Sequence, residues 1–394
     1  MGESVHSAAA SALGYQHQTW WALLELLRAD HARPDAAISL ELHDDVAWEQ
    51  AESATELLQI KHHQRGERRL TDASPDVWST LKTWMDTAVP SDVEGPTLVL
   101  VSTQEANPGS AMAALRPDSR DDEMALSALE RAALRRASGR TREAREQFLE
   151  LGQADRAAFL SRITVMDASP HIDDVPALVR AELRWSLPVG HEDLFLAMVW
   201  RWWDERALEL LQRRRRAVDV GMARAAIADL RDQFSRQRLP TIVGHEGTAD
   251  DVLTATYGNS PFVHQMRWVA YPPVNLRHSI IDYHRAQAQA IRWIAEDLVA
   301  ADELSSLSRD LVDEWESEFE WMGLELAGAA DEAAKQRAGA SLLKALSQRN
   351  GPCLHGRYHE AFFVRGQRHE LADTGRVGWH PDFQHRMQTL LAES

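Results

Sequence analysis

The chain has 394 residues, enough for two or three domains, and its hydrophobic content of 44% is typical of a globular protein. A single cysteine, Cys353, excludes intramolecular disulfide bonds and a cysteine-based zinc site, and it suits a reducing cytoplasm. No apolar run reaches the length of a membrane span, and the net charge of −17 argues against tight, autonomous binding of nucleic acid. We therefore expect a cytoplasmic protein with no membrane partner.

The first predicted element is an amphipathic helix over residues 8–30. Its apolar residues recur at helical spacing, and its predicted buried side comprises Leu13, Trp20, Leu23, Leu24 and Leu27. Gln18 lies beside that side, either as an ordinary polar residue or as a hydrogen-bonding partner of a nearby site. The segment before the helix has no basic start and no long apolar core, so we expect no secretory signal.

Two strands are predicted next, at about 37–43 and 55–62. The first ends in the Asp44-Asp45 pair, and the second carries Gln59 and Lys61, whose two-residue spacing places them on the same face. A carboxylate and a glutamine carbonyl oxygen can together hold a hard cation, Mg²⁺ or Mn²⁺. A neighbouring lysine can orient the attacking water and balance charge on a phosphate. The pattern predicts a metal-dependent nuclease centre, and it leaves open which aspartate is the main ligand.

The composition strengthens the interpretation of Lys61 as a catalytic residue. The chain has 39 arginines and four lysines, so almost every surface cation is an arginine. A lysine kept within an apolar strand indicates chemistry for which a compact ammonium suits better than a planar guanidinium. The alternative is a lysine that extends along the strand end to solvent, with Asp44 and Asp45 as turn residues.

Basic residues follow this strand directly, and we expect Arg65, Arg68 and Arg69 to contact a DNA strand as it passes the site. A second basic block at 213–216 is more simply interpreted as a solvated helix face. The remaining elements expected in this half are a helix at 76–88 opened by Ser74-Pro75, strands at 97–101 and 163–165, several helices between 104 and 238, and a tryptophan-bearing helix at 191–216 that packs through its rings.

Four short motifs occur in an order that resembles a known family. They are Gly-Tyr-x-x-Gln at 14–18, Asp-Asp-Val at 44–46, Gln-x-Lys at 59–61 and Ser-x-Asp-x-Trp at 74–78. The arrangement resembles the PD-(D/E)XK-type double-stranded DNA endonuclease domain of bacterial anti-phage effectors. That domain occurs in CBASS effectors and in nuclease subunits of Lamassu and other ABC-three-component systems. The resemblance is clear over residues 10–105 and weakens towards residue 220.

The resemblance implies an α/β restriction-endonuclease-like domain, a mixed sheet flanked by helices, over residues 1–240 with a helical extension. It implies catalysis by Asp45, Gln59 and Lys61, with Asp45 and Gln59 as metal ligands. Gln59 occupies the second acidic position of the wider superfamily. We therefore expect metal binding to depend more on Asp45, with support from Gln18, Glu41 or Asp44.

The last region, 241–394, is predicted to be a mainly α-helical domain with long helices at about 278–300 and 303–326. The phrases Asp-Tyr-x-Arg-Ala at 282–286 and Gly-Trp-His-Pro-Asp-Phe at 378–383 resemble C-terminal domains of ABC-three-component effector subunits, which dock on partner proteins. Its histidines could in principle form a zinc site, but packed and hydrogen-bonded histidines are the better interpretation; they are His355, His359, His369 and His380.

The resemblance to the Lamassu nuclease subunit implies a metal-dependent endonuclease effector of an anti-phage and anti-plasmid defence complex. An SMC-like ATPase and a small accessory subunit would hold it restrained through residues 241–394. Release would produce a homo-oligomer that cuts double-stranded DNA. Two alternatives remain: a catalytically degenerate scaffold, favoured by Gln59 and the acidic charge, and a nuclease gated by a cyclic oligonucleotide.

Overall fold

The computed structural model describes residues 3–29, 34–63, 69–135, 139–244, 250–326, 331–349 and 354–393. The chain divides into two compact units, Met1–Leu230 and Arg231–Ser394, and each is described by itself.

The first unit combines a sheet with flanking helices, as expected. Its strands are β1 (Ala37–Leu40), β2 (Val46–Gln50), β3 (Ser53–Lys61), β4 (Thr97–Ser102), β5 (Ile163–Met166) and β6 (Val218–Asp219). Its helices are α1 (Glu3–Arg28), α2 (Pro75–Thr87), α3 (Ala111–Ala114), α4 (Asp122–Leu134), α5 (Gly139–Glu150), α6 (Gln153–Ser161), α7 (Val175–Glu182), α8 (Glu192–Leu211) and α9 (Val220–Asp232), with short 3₁₀ turns at Pro117–Ser119 and Ile172–Asp174. Helix α9 runs two residues into the second unit.

The described strands form a mixed six-stranded sheet in the order β5-β4-β3-β2-β1-β6. Strands β1, β2 and β3 form an antiparallel meander, and β4 and β5 continue the sheet in parallel with β3. The turn between β2 and β3 consists of Ala51 and Glu52, both with positive φ, which is the two-residue turn that matches the twist of a hairpin. The predicted strands at 97–101 and 163–165 are confirmed as β4 and β5.

The predicted C-terminal end of the first strand was wrong. Strand β1 stops at Leu40, and Glu41 adopts a left-handed conformation with φ of 52°. The Glu41 N–H then donates to the carbonyl oxygen of Asp45 at 3.2 Å, which closes a loop over residues 41–45. The two aspartates therefore precede β2 instead of ending β1, although the alternating apolar pattern continues through Leu42.

Helices cover both faces of this sheet. One face packs through Leu57, Leu98 and Leu100 against α2 and α4–α6 in a single apolar cluster. Helix α1 packs against β1 and β3, and its Trp21, Ala22, Leu23, Leu24 and Leu26 are buried. Leu13 was expected on that buried side, but it is exposed because it precedes the part of α1 that contacts the sheet.

The second unit is helical throughout its described residues, which confirms the predicted class. Its helices are α10 (Asp250–Tyr257), α11 (Pro261–Trp268), α12 (Pro273–Ala295), α13 (Ala301–Glu325), α14 (Glu332–Gln348), α15 (Ala361–Asp373) and α16 (Phe383–Glu393), with a 3₁₀ turn at Leu354–Gly356. Helices α12 and α15 approach closely at Gly366, where an added Cβ would lie 2.3 Å from the carbonyl oxygen of Asp282. No helix among the described residues is long and apolar enough to span a membrane.

Candidate active site

The 41–45 loop delivers two adjacent carboxylates to the end of β3. Asp45 Oδ2 accepts a hydrogen bond from the Ile60 backbone N–H at 2.8 Å, which ties the loop to the strand that carries Gln59 and Lys61. The side chains of Gln18 and Gln59 lie close enough to Asp45 to lower its pKa. Gln18 therefore reaches this site from α1, as one of its two sequence interpretations expected.

Asp44 is held on both of its carboxylate oxygens by donors of the protein. The indole N–H of Trp84, on α2, donates to Oδ2 at 2.7 Å. The Asp45 backbone N–H donates to Oδ1 at 3.0 Å, and Gln59 Nε2 donates to the same oxygen. Burial outweighs these bonds and raises the pKa of Asp44 to about 6. The arrangement makes Asp44 a carboxylate that positions its neighbours.

Gln59 bridges the acidic and basic parts of the site. Its Nε2 donates to Asp44, and its Oε1 accepts from Lys61 Nζ at 2.8 Å. Because a lysine ammonium has donors and no acceptor, the amide oxygen must face Lys61 and the amide nitrogen must face Asp44. The carbonyl oxygen therefore points towards the ammonium of Lys61.

The electrostatics of the site show an excess of negative charge around one ammonium. Burial raises the pKa of Asp45 above its usual value, and Lys61 opposes that rise. Burial and the charge of Asp45 raise the pKa of Glu41, which Arg213 and Lys61 lower. Two carboxylates with mutual repulsion, next to an amide oxygen that has a second lone pair, form an oxygen donor set that fits a hard divalent cation.

Arg213 supports this geometry, and the sequence analysis did not identify it. Helix α8 ends at Leu211, five residues earlier than expected, so the basic block at 213–216 follows the helix. The Arg213 guanidinium donates to the carbonyl oxygens of Leu40 and Glu41, where the chain leaves β1. Arg216 pairs with the buried Glu49 at 3.1 Å. The expectation of a solvated helix face was wrong, because the block lies after α8 and the side chains of Arg213 and Arg216 bind residues at the end of β1 and within β2.

A further carboxylate, at the start of α2, lies near Lys61. Asp76 pairs with His63 Nε2 at 3.0 Å, and this hydrogen bond, followed by the charges of His63 and Lys61, lowers the pKa of Asp76. His62, the residue after Lys61, has its ring centroid 4.9 Å from that of His17, and burial lowers the pKa of His17 to about 4. These residues lie close to the site, although the sequence analysis assigned them no role.

The predicted DNA-contacting arginines are described only in part. Arg65 and Arg68 lie outside the described residues. Arg69 is half exposed and pairs with Glu105 at 3.1 Å. Its contact with DNA therefore stays a prediction.

Three of the four C-terminal histidines considered as zinc ligands are described, and each has contacts within the protein. His369 is fully buried, and burial lowers its pKa to about 3, whereas His359 bonds the Gly356 carbonyl oxygen. His380, Glu332 and Asp382 do lie together. However, the Asp382 N–H donates to His380 Nδ1, so Nε2 keeps its proton and faces Glu332 at 3.4 Å. The side chain of His355 lies outside the described residues.

Two family models match the chain, one within each unit. Residues 7–129 match the family model described as the dsDNA endonuclease domain of Cap4. Residues 262–387 match the model described as C-terminal domain 7 of the ABC-three component systems. No curated protein and no solved structure matches the chain significantly. Together, the two matched regions support a nuclease in which a Cap4-type dsDNA endonuclease domain is joined to an ABC-three-component C-terminal domain.

Proposed function

We propose that this protein is a Mg²⁺-dependent endonuclease that cleaves double-stranded DNA as the effector of a bacterial anti-phage and anti-plasmid defence complex. The observation that carries the proposal is the contact of Lys61 with Gln59 beside Asp45, at the end of β3, within the region that matches a dsDNA endonuclease family. The sheet and its flanking helices correspond in this proposal to a restriction-endonuclease-like fold.

In the proposed mechanism, Asp45 and the Gln59 carbonyl oxygen hold the cation, and Glu41 adds negative charge nearby. Mg²⁺, when bound, neutralises charge on the phosphate and makes water a better nucleophile. Lys61 orients the attacking water and stabilises the charge that develops on the phosphate oxygens. Asp44 acts through Gln59, because its hydrogen bond holds the amide with its oxygen towards Lys61.

The proposed complex contains partners as well as DNA. Residues 241–394, which include the matched ABC-three-component domain, would dock an SMC-like ATPase and a small accessory subunit. One site cuts one strand, so a double-strand break requires two nuclease domains side by side. We therefore include release from the partners and homo-oligomerisation as the activating step.

A catalytically degenerate scaffold is the competing function. Gln59 replaces a carboxylate, both ends of its amide are already hydrogen-bonded, and the net charge of −17 repels DNA. If the protein is such a scaffold, the intact chain should show no Mg²⁺-dependent cleavage. A nuclease gated by a cyclic oligonucleotide ranks lower, because the phrases at 282–286 and 378–383 do not resemble the sensor domain of such effectors.

The deciding experiment is plasmid cleavage by the purified full chain with Mg²⁺, Mn²⁺ or EDTA. Lys61→Ala should abolish cleavage. Lys82→Ala is the matched control, because Lys82 is a surface lysine of α2 that pairs with Asp86 at 2.7 Å. Undiminished cleavage by the Lys61→Ala variant, or cleavage in EDTA, would contradict the proposed mechanism. Copurification with neighbouring gene products tests the partners separately.

A further inference from the structure

The second unit contains a cavity that the proposed nuclease does not use. Its volume is about 580 Å³, and it lies between the first half of α12, the end of α14 and the first turn of α15. That volume is within the range of small-molecule sites. Its lining includes Asp282, Arg285, Glu360, Ala361, Phe362 and Arg365.

Arg285 is a buried cation in the wall of this cavity. It is only 7% exposed, and its buried Nε has no hydrogen-bond partner among the described residues, although the charges of Asp282 and Glu360 act on the guanidinium. Its Cζ lies 3.8 Å from the ring centroid of Phe362, which holds the planar group flat against the aromatic face. A buried charge without an acceptor is costly, so this position favours a ligand that supplies one.

The acidic side chains of the cavity do not supply that acceptor. Asp282 accepts from Arg365 Nε at 2.6 Å, so its Oδ2 is already occupied, while its charge still acts on Arg285. Glu360 is exposed, and solvent weakens the effect of its charge on Arg285. Arg285 therefore has opposite charges nearby but no hydrogen-bonded ion-pair partner in the described lining.

The first turn of α15 adds a second cationic element. Ala361 and Phe362, the first two residues of this 13-residue helix, line the cavity. The Glu360 side chain makes no capping hydrogen bond to the helix. The N–H groups of a first turn and the positive end of the helix dipole attract an anion, and the first two residues of this turn line the same cavity as Arg285.

The geometry points to a binding site for the oxyanion group of a small molecule, a phosphate or a carboxylate, held by the Arg285 guanidinium and the N-terminus of α15. The planar guanidinium can donate two parallel hydrogen bonds to either oxyanion. The remaining volume accommodates the rest of the ligand. This site is independent of the proposed nuclease activity, because all of its residues belong to the second unit.

Thermal unfolding of the full chain tests this site, with inorganic phosphate and acetate as separate millimolar probes at constant ionic strength. A probe that binds raises the Tm of the second unit by about 5 °C at 100 times its dissociation constant. Saturation by phosphate alone identifies a phosphate ligand, and saturation by acetate alone identifies a carboxylate. No saturable rise with either probe overturns the proposal.

Two variants and one control make the result specific. Arg285→Lys keeps the charge but loses the two parallel N–H donors of the guanidinium, so the affinity for the bound probe should fall about tenfold. Ala361→Trp should abolish the rise in Tm, because the larger side chain fills the cavity. Ala361 is exposed, so the substitution should not impair folding. Arg277→Gln removes an exposed cation of the same helix and should leave the response unchanged. An equal response in wild type, Arg285→Lys and Ala361→Trp overturns the proposal.

Discussion

Lys61 Nζ lies 2.8 Å from Gln59 Oε1, and this contact determines the direction of the whole amide. Because Oε1 faces the ammonium, Nε2 faces Asp44, and the adjacent Asp45 is left as the carboxylate on the side of Lys61. The two aspartates are neighbours in sequence but accept hydrogen bonds from different donors, Trp84 and Gln59 for Asp44 and the Ile60 N–H for Asp45. Four predictions follow from that difference and from the side chains that maintain it.

Asp45→Asn and Asp44→Asn should have different consequences. Asp45→Asn removes the proposed ligand charge, so cleavage should fall by about 10³-fold, with folding retained. Asp44→Asn leaves Asp45 intact, but it places an amide N–H, itself a donor, against the groups that donate to Asp44. Cleavage should therefore fall about 10–100-fold. The free energy of unfolding should drop by about 1–3 kcal/mol in the Asp44 variant. Urea unfolding and plasmid cleavage measure both effects, and a larger activity loss in Asp44→Asn would reverse the roles.

Trp84→Phe should alter the site through one lost hydrogen bond. The substitution removes the indole N–H that donates to Asp44, so the pKa of Asp44 should rise further and cleavage should require a higher pH. Trp78→Phe is the matched control on the same helix, because its indole donates to the Asp72 carbonyl oxygen at 2.7 Å. Both variants should lose about 1–3 kcal/mol of stability. A shifted pH–rate profile in both variants, or in neither, would contradict the role of Trp84.

Cleavage by the wild-type protein should decline as the pH falls from 7 to 5. Burial raises the pKa of Asp44 to about 6 and that of Asp45 above its usual value. Raised carboxyl pKa values mean that protonation begins at a higher pH than for an exposed aspartate, and a protonated carboxyl loses its attraction for a cation. Rates measured at saturating DNA, with circular dichroism as the folding control, test this. Constant activity down to pH 5 would contradict a role for the ionised Asp44 carboxylate in cleavage, because its pKa of about 6 lies within this range.

Arg213→Gln should impair the loop that carries both aspartates. Arg213 binds the carbonyl oxygens of Leu40 and Glu41, and its charge lowers the pKa of Glu41. We expect cleavage to fall about tenfold, as for other residues that orient ligands indirectly. Arg214→Gln is the control, because its exposed side chain is adjacent in sequence. Equal loss in the two variants would show a general effect of charge on DNA binding and contradict support of the loop.

Much of the site could be predicted from local pattern. The spacing of Gln59 and Lys61 required a common face, because side chains alternate in an extended strand. Short runs rich in β-branched residues predicted β4 and β5, and Ser74-Pro75 predicted the start of α2. The end of β1 could not be predicted in this way, because residues 37–43 keep an alternating pattern, and a distant arginine stabilises the break at Glu41.

The sequence by itself determined the strand residues of the site and the class of chemistry that they favour, since both depend on residue type and on spacing within a few positions. Only the tertiary structure distinguished Asp44 from Asp45, because the distinction depends on Trp84, forty residues away, and on the direction of one amide. It also assigned Arg213 to the 41–45 loop and placed Arg285 against Phe362. Such contacts join residues far apart in the chain, and local periodicity contains no information about them.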